Sequence, residues 1–335
     1  MRKGLGRHNY RSAGGLIPSL VLDFAGTGTL DPRVTFTRST TATYTNSSEA
    51  LTTAAINAAR FDYNPSTLAA LGLLLEEQRT NVLLNSLLDG TNLTTQTVIT
   101  GAVPYTLSFY GTGTIVLAGT NISTQVGTGA YPSRKTFTFT PTAGNLTLTV
   151  TGTVQYAQLE AGSFASSFIP TAGAQVTRAA DSAVMTGTNF SSWFNASQGT
   201  LYTETNFTST VFITRGIFIA PTSYSDNTIV TANWYQNTGQ PANFKNDPFG
   251  TSAVSSPTIS GIGNLKSAIA YQSANSAGAI NGTIRYTDSS AGSGGVTFTQ
   301  LNFNEGGVHL NGYIKKIAYY PIRVTNAQLQ ALTGS

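Results

Sequence analysis

The sequence predicts an all-β fold, in which tandem antiparallel β-sandwiches follow an extended N-terminal arm. Apolar and polar residues alternate strictly in Thr136–Thr140 and Leu146–Val150, with threonine on the polar face, as is typical of half-buried antiparallel strands. Glycine, asparagine and proline turns separate short strands of this kind. The only helical pattern of note lies at the C-terminus, and 335 residues suit about two domains.

Charge is sparse and is concentrated at the N-terminus. Charged residues make up 10% of the chain, against about 25% in an average globular protein. The formal net charge of +4 equals the contribution of four residues in an acid-free stretch. These residues are Arg2, Lys3, Arg7 and Arg11. Such an arm suits an acidic protein surface or nucleic acid, or is a solvated tail. We predict that it attaches the protein to a larger assembly.

The sequence lacks cysteines, a signal-peptide pattern and a membrane-spanning segment, which excludes several classes of protein. The chain has no cysteine, so neither disulfides nor thiolate-bound metals hold the fold. The apolar stretch Leu16–Leu22 is interrupted by Pro18 and is too short for a signal peptide. No apolar run approaches the ~18 residues of a membrane span. We expect no cofactor, no metal and no membrane association.

The N-terminal part reads as short strands and one hairpin. Strand-like pieces lie in Leu20–Phe36, and Thr41–Ala55 predicts a hairpin. The apolar run Leu73–Leu75 is followed by adjacent acids, Glu76-Glu77, and then by Arg79. We interpret these charges as a structural salt bridge in which Arg79 is the partner of the acids.

The rest of the chain continues the β pattern to a short closing helix. Further strands are predicted at Tyr105–Tyr110, Gly113–Leu117, Lys135–Thr153, Gly199–Phe207, Phe212–Ile219, Asn227–Tyr235, Ala268–Tyr286 and Tyr313–Tyr320. Asn281-Gly282 is a strong hairpin signal. Ile314 is out of phase with Ile317, which indicates a bulge or burial on both faces of that strand. Thr325 and Gln328 form a capping-box pattern before the helix.

Catalytic and metal-binding patterns are weak. The two histidines are His8, in the arm, and His309, which we interpret as structural. Glycoside hydrolysis needs two carboxylates about 5–10 Å apart, but Glu204 and Glu305 are each isolated on their segments. Two loop pairs, Asp226-Asn227 and Asn246-Asp247, offer oxygen ligands for calcium without enough acids to define a site. We therefore predict that the protein is not an enzyme.

One aromatic-rich stretch is the best candidate for sugar contact. Sugar binding by shape needs aromatic faces beside neutral hydrogen-bonding groups. The predicted contacts are Tyr224, Asp226, Trp234 and Tyr235. Trp234 shares a strand face with Val230 and Ala232, which favours a core position, so Tyr224 with Asp226 is the better candidate.

The C-terminal segment resembles the closing strand of laminin-G-like, concanavalin A-like domains. The resemblance rests on a glycine, a hydrophobic strand ending in Tyr319-Tyr320, and a short helix. The hairpin Ala268–Tyr286 fits the strand pair that precedes this closing strand in that family. The resemblance implies a concanavalin A-like sandwich for residues 173–335.

A longer resemblance links the chain to bacteriophage head-fibre, head-spike and tail-fibre proteins. It is carried by the strings LDFAGTGTLDPRVTFTRSTTATYT, AARFDYNP, LGLLLEEQRTNVLLNS and VQYAQLEAGSFASSFIPT, followed by Arg178-Ala179-Ala180-Asp181. It covers nearly the whole chain from Leu20 onward, but not the arm. After the basic arm of residues 1–19, which the charge pattern predicts, the resemblance implies over 20–172 a β segment that leads into a jelly roll like a carbohydrate-binding module.

The resemblance implies a virion structural protein assembled in the host cytoplasm. We expect attachment through the N-terminal region, display of β-sandwiches for host-surface glycan adhesion, other virion proteins as partners and, by analogy, a homotrimer. We expect no direct nucleic-acid partner. A capsid decoration or cement protein without a ligand is the alternative hypothesis, and a polysaccharide depolymerase is disfavoured by the lack of paired carboxylates.

Overall fold

Antiparallel strands dominate the computed structural model and confirm the all-β prediction. The structure describes residues 15–208, 215–220, 229–234, 263–289, 297–303 and 310–334. Every strand pairing found in these residues is antiparallel. Within them, no helix is long and apolar enough to cross a membrane.

The larger sandwich is built from two facing sheets. Its first sheet has the order β22 (Thr283–Asp288), β21 (Ser276–Ile280), β20 (Asn264–Gln272), β17 (Gln198–Phe207), β24 (Gly312–Tyr320), β6 (Ala70–Leu75) and β5 (Arg60–Tyr63), with β1 (Leu20–Asp23) also on β24. Its second sheet has the order β19 (Ile229–Trp234), β18 (Arg215–Ala220), β23 (Gln300–Asn302), β16 (Ser182–Thr186) and β2 (Thr35–Thr37). Inward-facing apolar side chains of both sheets, such as Ile269 and Leu301, form one buried core.

Strand β24 explains why the N-terminal strands belong to this larger sandwich. One edge of β24 pairs with β17, and the other edge is shared by β6 at its start and β1 at its end. Strands β1, β2, β5 and β6 pair within the sheets of the larger sandwich, although the expected 20–172 segment grouped them with the jelly roll. The difference arises because long-range strand pairing cannot be read from the order of strands along the chain.

The smaller sandwich is an insertion into the larger one. One sheet has the order β11 (Ser123–Val126), β10 (Thr114–Gly119), β13 (Gly144–Thr151) and β8 (Gln96–Thr100), and the other has β12 (Lys135–Phe139), β9 (Tyr105–Tyr110) and β14 (Gln155–Ala161). Leu146 and Leu148 are fully buried while the adjoining threonines face outward, as the alternation predicts. The core of this sandwich is separate from that of the larger one.

Two short strands connect the sandwiches. The chain leaves the larger sandwich through β7 (Arg79–Asn81) and returns through β15 (Val176–Arg178), and the two strands pair with each other. The predicted hairpin is present as β3 (Ala42–Thr45) and β4 (Leu51–Ala54).

The C-terminal predictions are confirmed in detail. The register of β24 shifts at Lys315, so that Ile314 and Ile317 are both fully buried, as a bulge allows. The capping box forms, with the Thr325 amide donating to the Gln328 Oε1 and the Gln328 amide donating to the Thr325 Oγ1. The closing helix α3 (Asn326–Gly334) then covers the outer face of the first sheet. Two shorter helices are α1 (Phe24–Thr27) and α2 (Gly187–Ser191).

Candidate functional site

The site residues predicted from the sequence lie almost wholly outside the described residues. This applies to Arg2, Lys3, Arg7, Arg11, Tyr224, Asp226 and Tyr235. Trp234 ends β19, but its side chain is not among those described. His8, His309 and Glu305 also lie outside the described ranges. These assignments remain predictions. In the described ranges no cluster of three or more metal-ligating side chains occurs.

A buried ion network occupies the place where the chain leaves and re-enters the larger sandwich. Asp181 pairs with Arg38 at 3.0 Å and with Arg60 at 2.5 Å. Glu76 pairs with Arg60 at 2.8 Å and with Arg178 at 2.7 Å. Arg60 therefore links the two carboxylates, and residues distant in sequence are joined into one cluster.

The network is closed by hydrogen bonds to backbone groups that no sheet satisfies. The Glu76 amide donates to the Asp181 carboxylate, and the Ser167 amide donates to the Glu76 carboxylate at 2.7 Å. The Arg38 guanidinium donates to the carbonyls of Thr40 and Ala55. Buried charges are tolerated when they are paired and hydrogen-bonded in this way.

Electrostatics keep Glu76 ionised. Burial alone would raise the pKa of this carboxyl, but the charges of Arg178 and Arg60 and the hydrogen bonds from Ser167 outweigh it and lower the pKa to about 2. A carboxylate in this state is a structural anchor and cannot donate a proton at neutral pH.

The prediction for the adjacent acids is half confirmed. Arg79 pairs with Glu77 at 2.5 Å, but Glu76 turns the other way to Arg60 and Arg178. The split follows from strand geometry, because neighbouring residues in extended backbone point to opposite sides. The partners of Glu76 could not be identified from the sequence because they are contributed by segments far along the chain.

A cleft of about 250 Å³ opens beside the network, where the two sandwiches meet. Tyrosine side chains from both sandwiches line it: Tyr44, Tyr63, Tyr110 and Tyr313. Its other lining groups include Asp62, Arg134, Ser166 and Ser167. Behind Ser166, which lines the cleft, the buried Glu160 accepts hydrogen bonds from Gln158 and Ser166.

Asp62 is the titratable carboxyl of the cleft. Its Oδ1 accepts from the Thr45 amide at 2.6 Å and the Tyr63 amide at 3.1 Å, and its Oδ2 accepts from the Tyr313 hydroxyl at 2.9 Å. Burial raises the pKa of Asp62 to about 6, against the lowering effect of the bonds from Thr45 and Tyr313.

Arg134 lines the cleft from the side of the smaller sandwich. Its Nη1 donates to the Ser166 carbonyl and its Nη2 to the Ser108 hydroxyl, each at 2.7 Å. The guanidinium carbon lies 6.0 Å from the centre of the Tyr110 ring. Nearby, the Tyr131 hydroxyl is 3.0 Å from the Thr45 hydroxyl, a contact that joins the smaller sandwich to the β3–β4 hairpin.

The geometry of the cleft suits binding better than hydrolysis. The carboxylates among its described lining residues are Asp62 and Glu76, and Glu76 is fixed by two guanidinium groups. The tyrosine rings and fixed polar groups provide the aromatic surface and the convergent hydrogen-bonding groups that small-molecule and sugar sites use. This cleft was not predicted from the sequence because its four tyrosines lie on four separate strands, β3, β5, β9 and β24.

No protein-family model matches the sequence, and no curated protein matches it. Several solved structures are similar to part of it. Trypanosoma rangeli sialidase in complex with the inhibitor DANA has a TM-score of 0.33 and 13% identity, over 46% of this chain and 26% of that one. The Ruminococcus gnavus IT-sialidase CBM40 bound to alpha2,6 sialyllactose has a TM-score of 0.28 and 14% identity, over 42% and 85%. The binding domain of botulinum neurotoxin DC in complex with SialylT has a TM-score of 0.29 and 13% identity, over 46% of this chain and 39% of that one. The chain thus spans about a quarter of the sialidase, and likeness of this degree carries no argument about function.

Proposed function

We propose that this chain is a bacteriophage virion structural protein, of the head-fibre, tail-fibre, spike or decoration type, that binds host-surface glycan without catalysis. The virion setting is supported by the sequence resemblance. The glycan-binding part is supported by one structural observation, the tyrosine-lined cleft at the junction of the two sandwiches. The basic arm and a homotrimeric assembly belong to the same proposal.

The positions of Leu20 and Leu75 along β24 support docking through the arm at one end of this strand and display of the smaller sandwich at the other. Leu20, which follows the arm, pairs with Tyr319 near the end of β24, whereas Leu75, which precedes the insertion, pairs with Gly312 at its start. These positions are seven residues apart on one strand, or about 23 Å at the usual rise. Leu20, which follows the arm, and Leu75, which precedes the smaller sandwich, therefore lie near opposite ends of β24.

The junction also explains how such a cleft could hold its shape. Side chains from both sandwiches form its walls, and Ser167, in the segment after β14, hydrogen-bonds to Glu76 and Arg60 of the buried ion network. A preformed site loses less entropy when a ligand binds. Individual sugar contacts are weak, but several copies on one virion could raise the avidity by ~10²–10⁴.

A glycan array probed with the full chain tests the glycan-binding part. Tyr44→Ala should abolish the signal because it removes a ring from the cleft wall. Phe137→Ala, a truncation of a half-buried ring on β12, should leave the signal unchanged. Loss of signal in both variants, or in neither, would contradict the assignment of the cleft.

Two further measurements separate the competing functions. A blank array together with incorporation into particles, seen by imaging intact virions, would indicate a decoration protein without a ligand. Release of reducing ends from host polysaccharide would indicate a depolymerase. Absence of the protein from purified virions would overturn the virion proposal.

A further inference from the structure

One guanidinium at the junction is held by neutral groups. The other arginines of the junction each bond to a carboxylate at 3.0 Å or less: Arg38, Arg60, Arg79 and Arg178. Arg134 instead donates to the Ser166 carbonyl and the Ser108 hydroxyl, and no carboxylate of the described residues pairs with it. At this junction, Arg134 is therefore available to an anionic group supplied from outside.

The carboxylates near Arg134 are already engaged elsewhere. Glu160 lies behind Ser166, which donates to it through both its amide and its hydroxyl. Glu76 is paired with Arg60 and Arg178. Asp62 accepts hydrogen bonds from Thr45, Tyr63 and Tyr313.

The guanidinium is also pre-positioned. Two of its N–H groups are fixed by the smaller sandwich, and each Nη retains a second N–H. Its partial exposure places it at the cleft wall, near the face of the Tyr110 ring. A planar fork of donors matches the two oxygens of a carboxylate better than it matches a single hydroxyl.

We propose that Arg134 recognises an anionic substituent of the saccharide, so that the cleft takes an acidic sugar, with a carboxylate as the favoured group. This inference rests on the proposed glycan-binding function. A sulfate ester offers related chemistry, and matched glycans distinguish the two.

The test compares matched glycans on one array that differ only in a carboxylate or sulfate, using the full chain. We expect binding to the carboxylated members, weaker or no binding to sulfated ones, and none to neutral ones. Arg134→Gln should weaken binding at least tenfold, since a hydrogen bond to a charged group contributes about that factor or more. Arg134→Lys should restore part of it. The control, Arg33→Gln, alters a surface ion pair with Asp31 and should change nothing.

The wild-type chain gives a second readout that needs no variant. Raising NaCl from 50 to 500 mM should weaken binding of an acidic glycan by severalfold, because salt screens the charge pair. Binding confined to neutral glycans, or acidic binding that Arg134→Gln and salt leave unchanged, would overturn this inference while leaving glycan adhesion intact. Binding stronger to sulfated than to carboxylated members would overturn the choice of carboxylate. An array with no signal would overturn the proposed function itself.

Discussion

Replacing Glu76 by glutamine should show how strongly the buried ion network stabilises the junction of the two sandwiches. Glu76 is 5% exposed and contacts Arg60, Arg178 and Ser167. Glutamine keeps the size of the side chain but removes its charge and turns one acceptor into a donor. Arg60 retains Asp181 as a partner, but Arg178 loses its paired carboxylate.

The expected magnitude follows from this unpaired guanidinium. Breaking a buried pair by removing one partner costs about 3–5 kcal/mol. If the 335 residues melt as one unit, the unfolding entropy is about 0.7 kcal/mol per kelvin, so a loss of about 4 kcal/mol lowers Tm by about 6 °C. If the smaller sandwich, about 90 residues, melted alone, the same loss would lower its Tm by about 20 °C.

Two probes distinguish these cases. Both tryptophans, Trp193 and Trp234, belong to the larger sandwich, so their fluorescence reports on it, whereas far-UV circular dichroism reports on all strands. We expect coincident transitions in the wild-type chain. Asp31→Asn is the matched control, since the partly exposed Asp31–Arg33 pair should contribute no more than about 1 kcal/mol. A Glu76→Gln variant that melts within 1 °C of that control would refute the role given to the network.

Three other predictions concern titration, backbone fit and the arm. The pKa of Asp62 is about 6 in the folded chain against an ordinary value of 3.8, so the folded state holds this proton more tightly, and the unfolding free energy should fall by up to about 3 kcal/mol as the pH rises from about 4 to 6. In the Asp62→Asn variant, the urea-denaturation midpoint should no longer depend on pH across that range. Gly72→Ala should cost at least about 1–3 kcal/mol of unfolding free energy by calorimetry, because Gly72 has a φ of +101° and a Cβ there would lie 2.3 Å from the Ile314 carbonyl oxygen; an unchanged Tm would contradict the packing of β6 against β24. Deleting residues 1–15 should leave Tm within about 2 °C because the buried side chain of Leu16 is retained, yet should abolish incorporation into particles; incorporation of the truncated chain would contradict attachment through the arm.

Local sequence patterns were sufficient for the strands and caps but not for their arrangement. The alternation at Leu146–Val150 and the capping box at Thr325 depend on residues within a few positions of each other, and both are confirmed. The pairing of β1 and β6 with one edge of β24 joins segments about 240 to 300 residues apart. Nothing in the hydrophobic period of a strand specifies such a distant partner, so the insertion of the smaller sandwich was not predictable.

The partners of the charged residues in the candidate site could also not be predicted from local sequence patterns. The strings that carry the phage resemblance contain Glu76, Arg79, Glu160, Arg178 and Asp181, and all five lie buried at the junction. The pattern of charges thus marked the right segments. It could not pair them, because a carboxylate in extended chain can reach whichever guanidinium the tertiary fold brings to it.

The side chains of the buried network are charged because they satisfy buried backbone groups that apolar side chains could not satisfy. Buried ion pairs often stabilise no more than well-packed apolar side chains of the same volume. At this junction, however, the chain runs outside the sheets, and its amides and carbonyls need partners in a buried place. The Glu76 and Ser167 amides find carboxylates, and the Glu77 carbonyl accepts from Arg178. Apolar replacements would leave those backbone groups unsatisfied at about 1–3 kcal/mol each. Carboxylates and guanidinium groups therefore satisfy the backbone where the chain passes between the two sandwiches. The cleft beside this junction keeps its shape as a consequence.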